Sequence, residues 1–86
     1  MYTTLMVAPP GITPRQREVV VLIAAGCSNE EVAQRLEISA RTAKAHSDAL
    51  RQKLGVPRRR QIPAAFRRLT GEDPLEIPLG SSSGDR

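Results

Sequence analysis

Cysteine, aromatic residues and long apolar runs are all scarce in this chain of 86 residues, and each scarcity removes a class of function. The single cysteine, Cys27, cannot close an internal disulfide, and one Cys beside one His cannot supply the four ligands of a structural zinc site. No metal or other cofactor is expected. Tyr2 and Phe66 are the only aromatic residues, so there is no row of rings on which unstacked bases could sit, as single-strand and RNA-binding sheets require. No apolar run approaches the roughly 20 residues that span a bilayer. Met1 to Gly11, with Pro9 and Pro10, lacks the charged start and long apolar stretch of a signal peptide. A soluble, cytoplasmic protein without a membrane partner is expected. Enzymatic chemistry is not, because the chain shows no paired carboxylates suited to a cleft, no nucleophile with a base and an orienting group, and no Gly-rich phosphate loop.

What is abundant is positive charge, and it is segregated. Between Arg41 and Arg68 stand nine basic residues (Arg41, Lys44, Arg51, Lys53, Arg58, Arg59, Arg60, Arg67, Arg68) and one acid, Asp48, while the whole chain carries a net charge of only +4. A solvated charged face is the ordinary account of a basic cluster. Acids are nearly absent from this one, which favours a polyanionic partner, nucleic acid first.

The length allows one small domain with tails, and a unit of this size buries only about 60% of the surface its unfolded chain exposes, so dimerisation is a natural supplement to its stability. Pro, Gly, Ser and acids gather at both ends. Residues 1–11 read as a flexible lead-in and residues 71–86, with Pro74, Pro78 and the Gly80 to Gly84 run, as a mobile tail. Leu75, Ile77 and Leu79 alternate, but the two prolines argue against a strand there. No internal repeat is visible.

Four helical signals lie between the tails. Thr13-Pro14-Arg15-Gln16 offers a Thr cap, Pro at the first helical position and Gln at N3, followed by Val19, Val20, Leu22 and Ile23 as a buried stripe and Gly26 as a stop; Val21 fits the stripe poorly and is expected to be exposed. Ser28-Asn29-Glu30-Glu31 is a capping box opening a second helix with Val32, Ala33 and Leu36 on its apolar side. Ser39 caps a third, in which Ala43, Ser47, Leu50 and Leu54 face inward before Gly55 ends it. Ala43 and Ser47 are small enough for the neighbouring helix to come close. The fourth starts near Arg60 or Gln61, since Pro63 is tolerated only in a first turn, and carries Ile62, Ala65, Phe66 and Leu69. The fold class is therefore all-α: four helices joined by short linkers over residues 12–70.

The second and third helices, separated by Glu37-Ile38-Ser39, have the spacing of a helix-turn-helix. In such a unit Ala33 lies where the helices meet, Ile38 plugs the turn, and Arg41, Thr42, Lys44, Ala45 and Asp48 project outward toward a major groove.

Here the chain closely resembles the LuxR-type (LuxR/GerE/NarL-FixJ) DNA-binding domain. The resemblance rests on Thr13 to Val19, Gly26 to Ala33, Leu36 to Ser39, Arg41 to His46 and Lys53 to Val56, several linked motifs at that family's spacing. It implies a four-helix domain that binds double-stranded DNA as a homodimer, with the third helix as reader, the fourth helix as dimer contact, and RNA polymerase as a further partner in activation. Carried over by position, it implies groove-facing roles for Lys44, Ala45 and Asp48, backbone contacts near Thr42 and His46, and a helix N-terminus at Ser28 and Asn29 presented to phosphate.

The chain departs from the family pattern at Asp48, commonly neutral or basic there, at Ala43 and Ser47, commonly larger, at Arg60, commonly a Thr or Ser cap, and at Pro63, commonly Val. A carboxylate at Asp48 must either accept from a cytosine amino group or repel the backbone. Arg41 adds a further DNA contact, whereas Arg58, Arg59 and Arg60, the densest positive run, stand evenly between phosphate contacts flanking the groove and an ordinary solvated loop, and Arg67 and Arg68 read as surface. Cys27 reads as a buried, inert thiol and His46 as a rim residue or phosphate contact, not a metal ligand. Ile62, Phe66 and Leu69 serve core or dimer, and a dimer contact is expected because so small a domain cannot bury Phe66 alone. The reading is thus a dimeric, sequence-specific regulator of transcription, either standing alone, as an untagged start at Met1 favours, or the output end of a longer protein. Its rival is a protein-interaction module, docking on RNA polymerase or another regulator, whose groove face is spoiled by Asp48.

Overall fold

The structure, a computed structural model, describes residues 11–77, so the lead-in expected before Gly11 and the end of the expected tail lie outside the described residues. Its elements run α1 (Pro14–Ala24), α2 (Asn29–Leu36), α3 (Ala40–Leu54), a 3-10 turn over Arg59–Gln61, α4 (Ile62–Thr70) and a final 3-10 turn over Pro74–Glu76. Among the described residues there is no strand.

Each start obeys local chemistry. The Thr13 hydroxyl accepts from the Gln16 amide at 3.0 Å while the Gln16 side chain accepts from the Thr13 amide at 3.2 Å. Ser28 and Glu31 repeat the exchange at 3.1 and 2.7 Å, and the Ser39 hydroxyl accepts from the Thr42 amide at 3.0 Å. Such caps satisfy amides that the helix leaves without partners, at about 1 kcal/mol each. The α4 start has no Ser or Thr: the Gln61 side chain instead accepts from the Arg58 amide at 3.0 Å, and the 3-10 turn leads straight into Ile62, with Pro63 harmless in the first turn.

The turn between α2 and α3 closes on Glu37, which adopts the left-handed conformation (φ 58°) and is the only non-glycine among the described residues to do so. The Ile38 amide then bonds to the Ala33 carbonyl at 3.0 Å, which seats Ile38 against the core.

The core is one cluster in which Val19, Val20, Val32, Ala43, Leu50, Ile62 and Phe66 are essentially sealed from solvent. Each large member contributes about 1.5 to 3 kcal/mol of hydrophobic stabilisation. Three expectations fail here. Val21 is buried, because α1 packs against α2, α3, α4 and the final turn and so is covered on more sides than one stripe implies. Phe66, only 1% exposed, is accommodated by this chain alone. The chain beyond Gly71 does not leave the domain at once: Arg17 grips Glu72 through two hydrogen bonds, Pro74 is buried, and Ile77 packs on the core.

Candidate nucleic-acid interface

One face of α3 is fixed by packing: Ala43, Ser47 and Leu50 are buried, with Ala43 and Ser47 small enough to let α2 lie close. The opposite face is thereby committed to solvent. It presents Arg41, Thr42, Lys44 and Ala45 as exposed residues, with His46 and Asp48 partly exposed. The Thr42 hydroxyl is engaged by the Ser39 hydroxyl at 2.9 Å, so it belongs to the cap of α3 as well as to its surface.

Asp48 sits in the middle of this ridge and is not isolated. Its Oδ2 accepts from Lys44 Nζ at 2.9 Å and its Oδ1 from Arg51 at 2.7 Å. Hydrogen bonds first from Arg51 and then from Lys44 hold its carboxyl below the usual aspartate range, so it is ionised at neutral pH. Arg51 also donates to the Pro57 carbonyl at 3.2 Å. Arg51, a member of the basic run in the sequence, thus belongs to the ridge as well, and the i, i+4, i+7 spacing of Lys44, Asp48 and Arg51 is the sequence signal for it.

At the start of α2 the side chain of Asn29 is engaged within the fold. The Asn29 carbonyl oxygen turns inward and accepts from both the Ser47 hydroxyl at 3.1 Å and Arg59 Nε at 3.0 Å. A second Arg59 nitrogen donates to the Cys27 carbonyl at 2.8 Å. Asn29 and Arg59 thus form a brace that ties the α2 N-terminus to mid-α3 and to the chain before α4. Ser28 is occupied in its capping box, and the Glu31 carboxyl, held low chiefly by its bond from the Ser28 backbone, adds a negative charge beside Glu30 in the same first turn. Arg58 remains exposed, and among the described residues neither it nor Arg41 enters a salt bridge.

On α4, Ile62 and Phe66 are buried in the chain's own core, and Leu69 is the exposed member of the stripe at 54%. Cys27 is a buried free thiol. Among the described residues no group of His, Cys, Asp and Glu is placed to hold a metal ion, and no helix is long and apolar enough to cross a membrane.

An α2–turn–α3 pair seated on α1 and α4, with the long helix baring a polar ridge, defines a helix-turn-helix domain. The chain belongs to the luxR family of bacterial regulatory proteins, which matches residues 10–64; this is a family of regulators and not of enzymes. Among its relatives are the transcriptional regulatory protein MctR of Rhizobium johnstonii, 47% identical over 45 residues, which is 52% of this chain and 21% of that protein. YhjB of Escherichia coli is 44% identical over 50 residues, covering 58% of this chain and 25% of that protein, and Rv0890c of Mycobacterium tuberculosis is 43% identical over 51, covering 59% and 6%. Both carry the name of HTH-type transcriptional regulators. This chain therefore spans a quarter or less of the length of these relatives. No solved structure matches it significantly.

Proposed function

We propose that this chain is a cytoplasmic transcriptional regulator that binds duplex DNA in a sequence-specific manner, as a dimer, with the outward ridge of α3 in the major groove. The observation that carries the reading is the division of α3: its inner face is locked by Ala43, Ser47 and Leu50, and its outer face offers Arg41, Lys44 and Ala45 from the N-terminal half of the helix. Lys44 reads guanine or holds phosphate, Ala45 and Asp48 meet base edges, and Arg41, Thr42, His46 and Arg58 lie toward the backbone. Asn29 and Arg59 act from beneath, fixing the angle between α2 and α3, with Ser28 capping the end that approaches phosphate. The α4 surface around Leu69 joins the two copies, and RNA polymerase is the partner through which a bound dimer acts.

The test is selection of genomic fragments by the purified protein, followed by binding across salt. A DNA reader recovers paired half-sites, about one helical turn apart. If six to ten phosphates are neutralised per dimer, affinity falls by roughly a thousandfold or more between 50 and 200 mM salt. A flat salt response or no enrichment overturns the reading. It then favours the alternative of a protein-docking module, for which the specific support is the acid at Asp48 that partly neutralises the ridge.

A further inference from the structure

An acid at the centre of a phosphate-seeking ridge needs a reason. Asp48 divides its carboxylate between two cations of its own helix, Lys44 on one oxygen and Arg51 on the other. Exposed pairs of this kind add little to stability, and α3 is already fixed by its buried face. What Asp48 changes is electrostatic: it cancels one of the ridge's positive charges and directs Lys44 and Arg51 toward itself rather than outward. Sequence-independent affinity comes from neutralised phosphates, so the acid weakens α3 on every duplex alike. Within the major groove, cytosine N4 is the usual donor to a carboxylate; adenine N6 also donates but stands beside the N7 acceptor, which repels a carboxylate, and guanine O6 and N7 and thymine O4 present only acceptors.

Resting on the reading of α3 as the DNA-facing helix, we propose that Asp48 is a specificity-determining residue that works by exclusion. It lowers the affinity for duplex DNA in general and returns that loss most fully where a cytosine amino group, which has no acceptor beside it, meets the carboxylate, with Lys44 and Arg51 released to neighbouring guanine and phosphate. A repulsive element of this kind discriminates more sharply than added attraction, because every wrong site keeps the full repulsion.

The experiment uses the full chain, the variants Asp48→Asn and Asp48→Ala, and Glu76→Gln, which removes the same charge from the exposed surface of the final turn, packed on α1 and α4. Thermal melting checks that each is folded. Binding to a random-sequence duplex is followed from about 0.1 to 1 M salt, and base preferences are read by selection from a randomised duplex library. Freeing one phosphate contact per reader helix gives Asp48→Asn a gain at about 0.1 M salt relative to 1 M of roughly eightfold for each helix bound, or roughly sixtyfold for a dimer, with no such gain for Glu76→Gln. Asp48→Ala loses the cytosine preference at one position of each half-site and keeps the others. Asp48 variants that bind random duplex no better than Glu76→Gln overturn the proposal, as does a gain in affinity with base preferences unchanged. Binding by Asp48→Asn where the parent chain binds no duplex also overturns the proposal, because no site then returns the lost affinity, and it favours the docking module whose groove face Asp48 spoils. If neither binds any duplex, the DNA-reading role of α3 itself fails, and this proposal with it.

Discussion

Arg17 and Glu72 stand 55 positions apart and meet in a two-pronged pair, Nε to Oε1 at 3.1 Å and a terminal nitrogen to Oε2 at 2.8 Å. The pair staples the segment after α4 to α1 and, with buried Pro74 and half-buried Ile77, closes the domain on that side. Both side chains are more than two-fifths exposed, so the staple is screened and contributes at most about 1 kcal/mol. The Arg17 hydrogen bond holds the Glu72 carboxyl below the usual glutamate range. A carboxyl whose folded pKa is depressed stabilises the fold above its unfolded value, near 4.3, and that contribution is lost as pH falls through the folded value. Glu72→Gln is therefore expected to lower the melting temperature by a few degrees at pH 7 and to narrow its gap from the parent chain below about pH 4. A gap that stays constant with pH would show that the pair contributes nothing as an ion pair.

The brace at Asn29 carries more, because one of its partners is buried: Ser47 is only 2% exposed and its hydroxyl has Asn29 as acceptor. Asn29→Ala leaves that hydroxyl and Arg59 Nε without this oxygen, at an expected cost of about 1 to 3 kcal/mol. Asn29→Asp keeps the acceptor, adds charge opposite Arg59 and complements the positive end of α2, so it is expected to match or exceed the parent in urea denaturation. Equal losses for the two variants would mean that Asn29 matters through its size and not its oxygen.

What could be read in the sequence was whatever chemistry is local. The capping exchanges of Thr13 with Gln16 and Ser28 with Glu31, the stop at Gly55 and the tolerance of Pro63 all depend on residues within a turn of one another. The unforeseen features are ties between distant positions. Lys53 reaches the Gln16 side chain at 2.9 Å and the Gly11 carbonyl, so Gln16 serves as cap and as buried bridge together. Arg59 reaches Asn29 across 30 positions, a tie that neither the phosphate contact nor the solvated loop weighed for it from sequence includes. Val21 was misjudged because the final turn that adds to the cover of α1 comes from a stretch whose Pro, Gly and acid content resembled a loose tail.

Glu37 offers a test of the helix-turn-helix corner independent of DNA. Its left-handed backbone (φ 58°) is one that a side chain with a Cβ adopts at a cost of about 1 to 2 kcal/mol, partly offset because glycine loses more freedom on folding. Glu37→Gly is expected to stabilise the domain by about 0.5 to 1 kcal/mol, a rise of several degrees in melting temperature. A drop would mean that the Glu37 side chain contributes more at the corner than its backbone costs.

The stripe on α4 separates core from interface by exposure alone. Phe66 is sealed at 1% and Leu69 lies open at 54%, so the two should fail in different ways. Phe66→Ala is expected to cost about 3 to 5 kcal/mol and to remove most of the stability of a domain this small. Leu69→Glu places its charge in water and should leave the melting temperature within about 2 to 4 degrees, since surface changes rarely exceed about 0.5 kcal/mol. If two copies meet through α4, Leu69→Glu nonetheless weakens binding to a paired site while leaving binding to a single half-site intact, because only the paired complex brings two such glutamates together. Equal effects on both sites would place the contact between copies elsewhere on the chain.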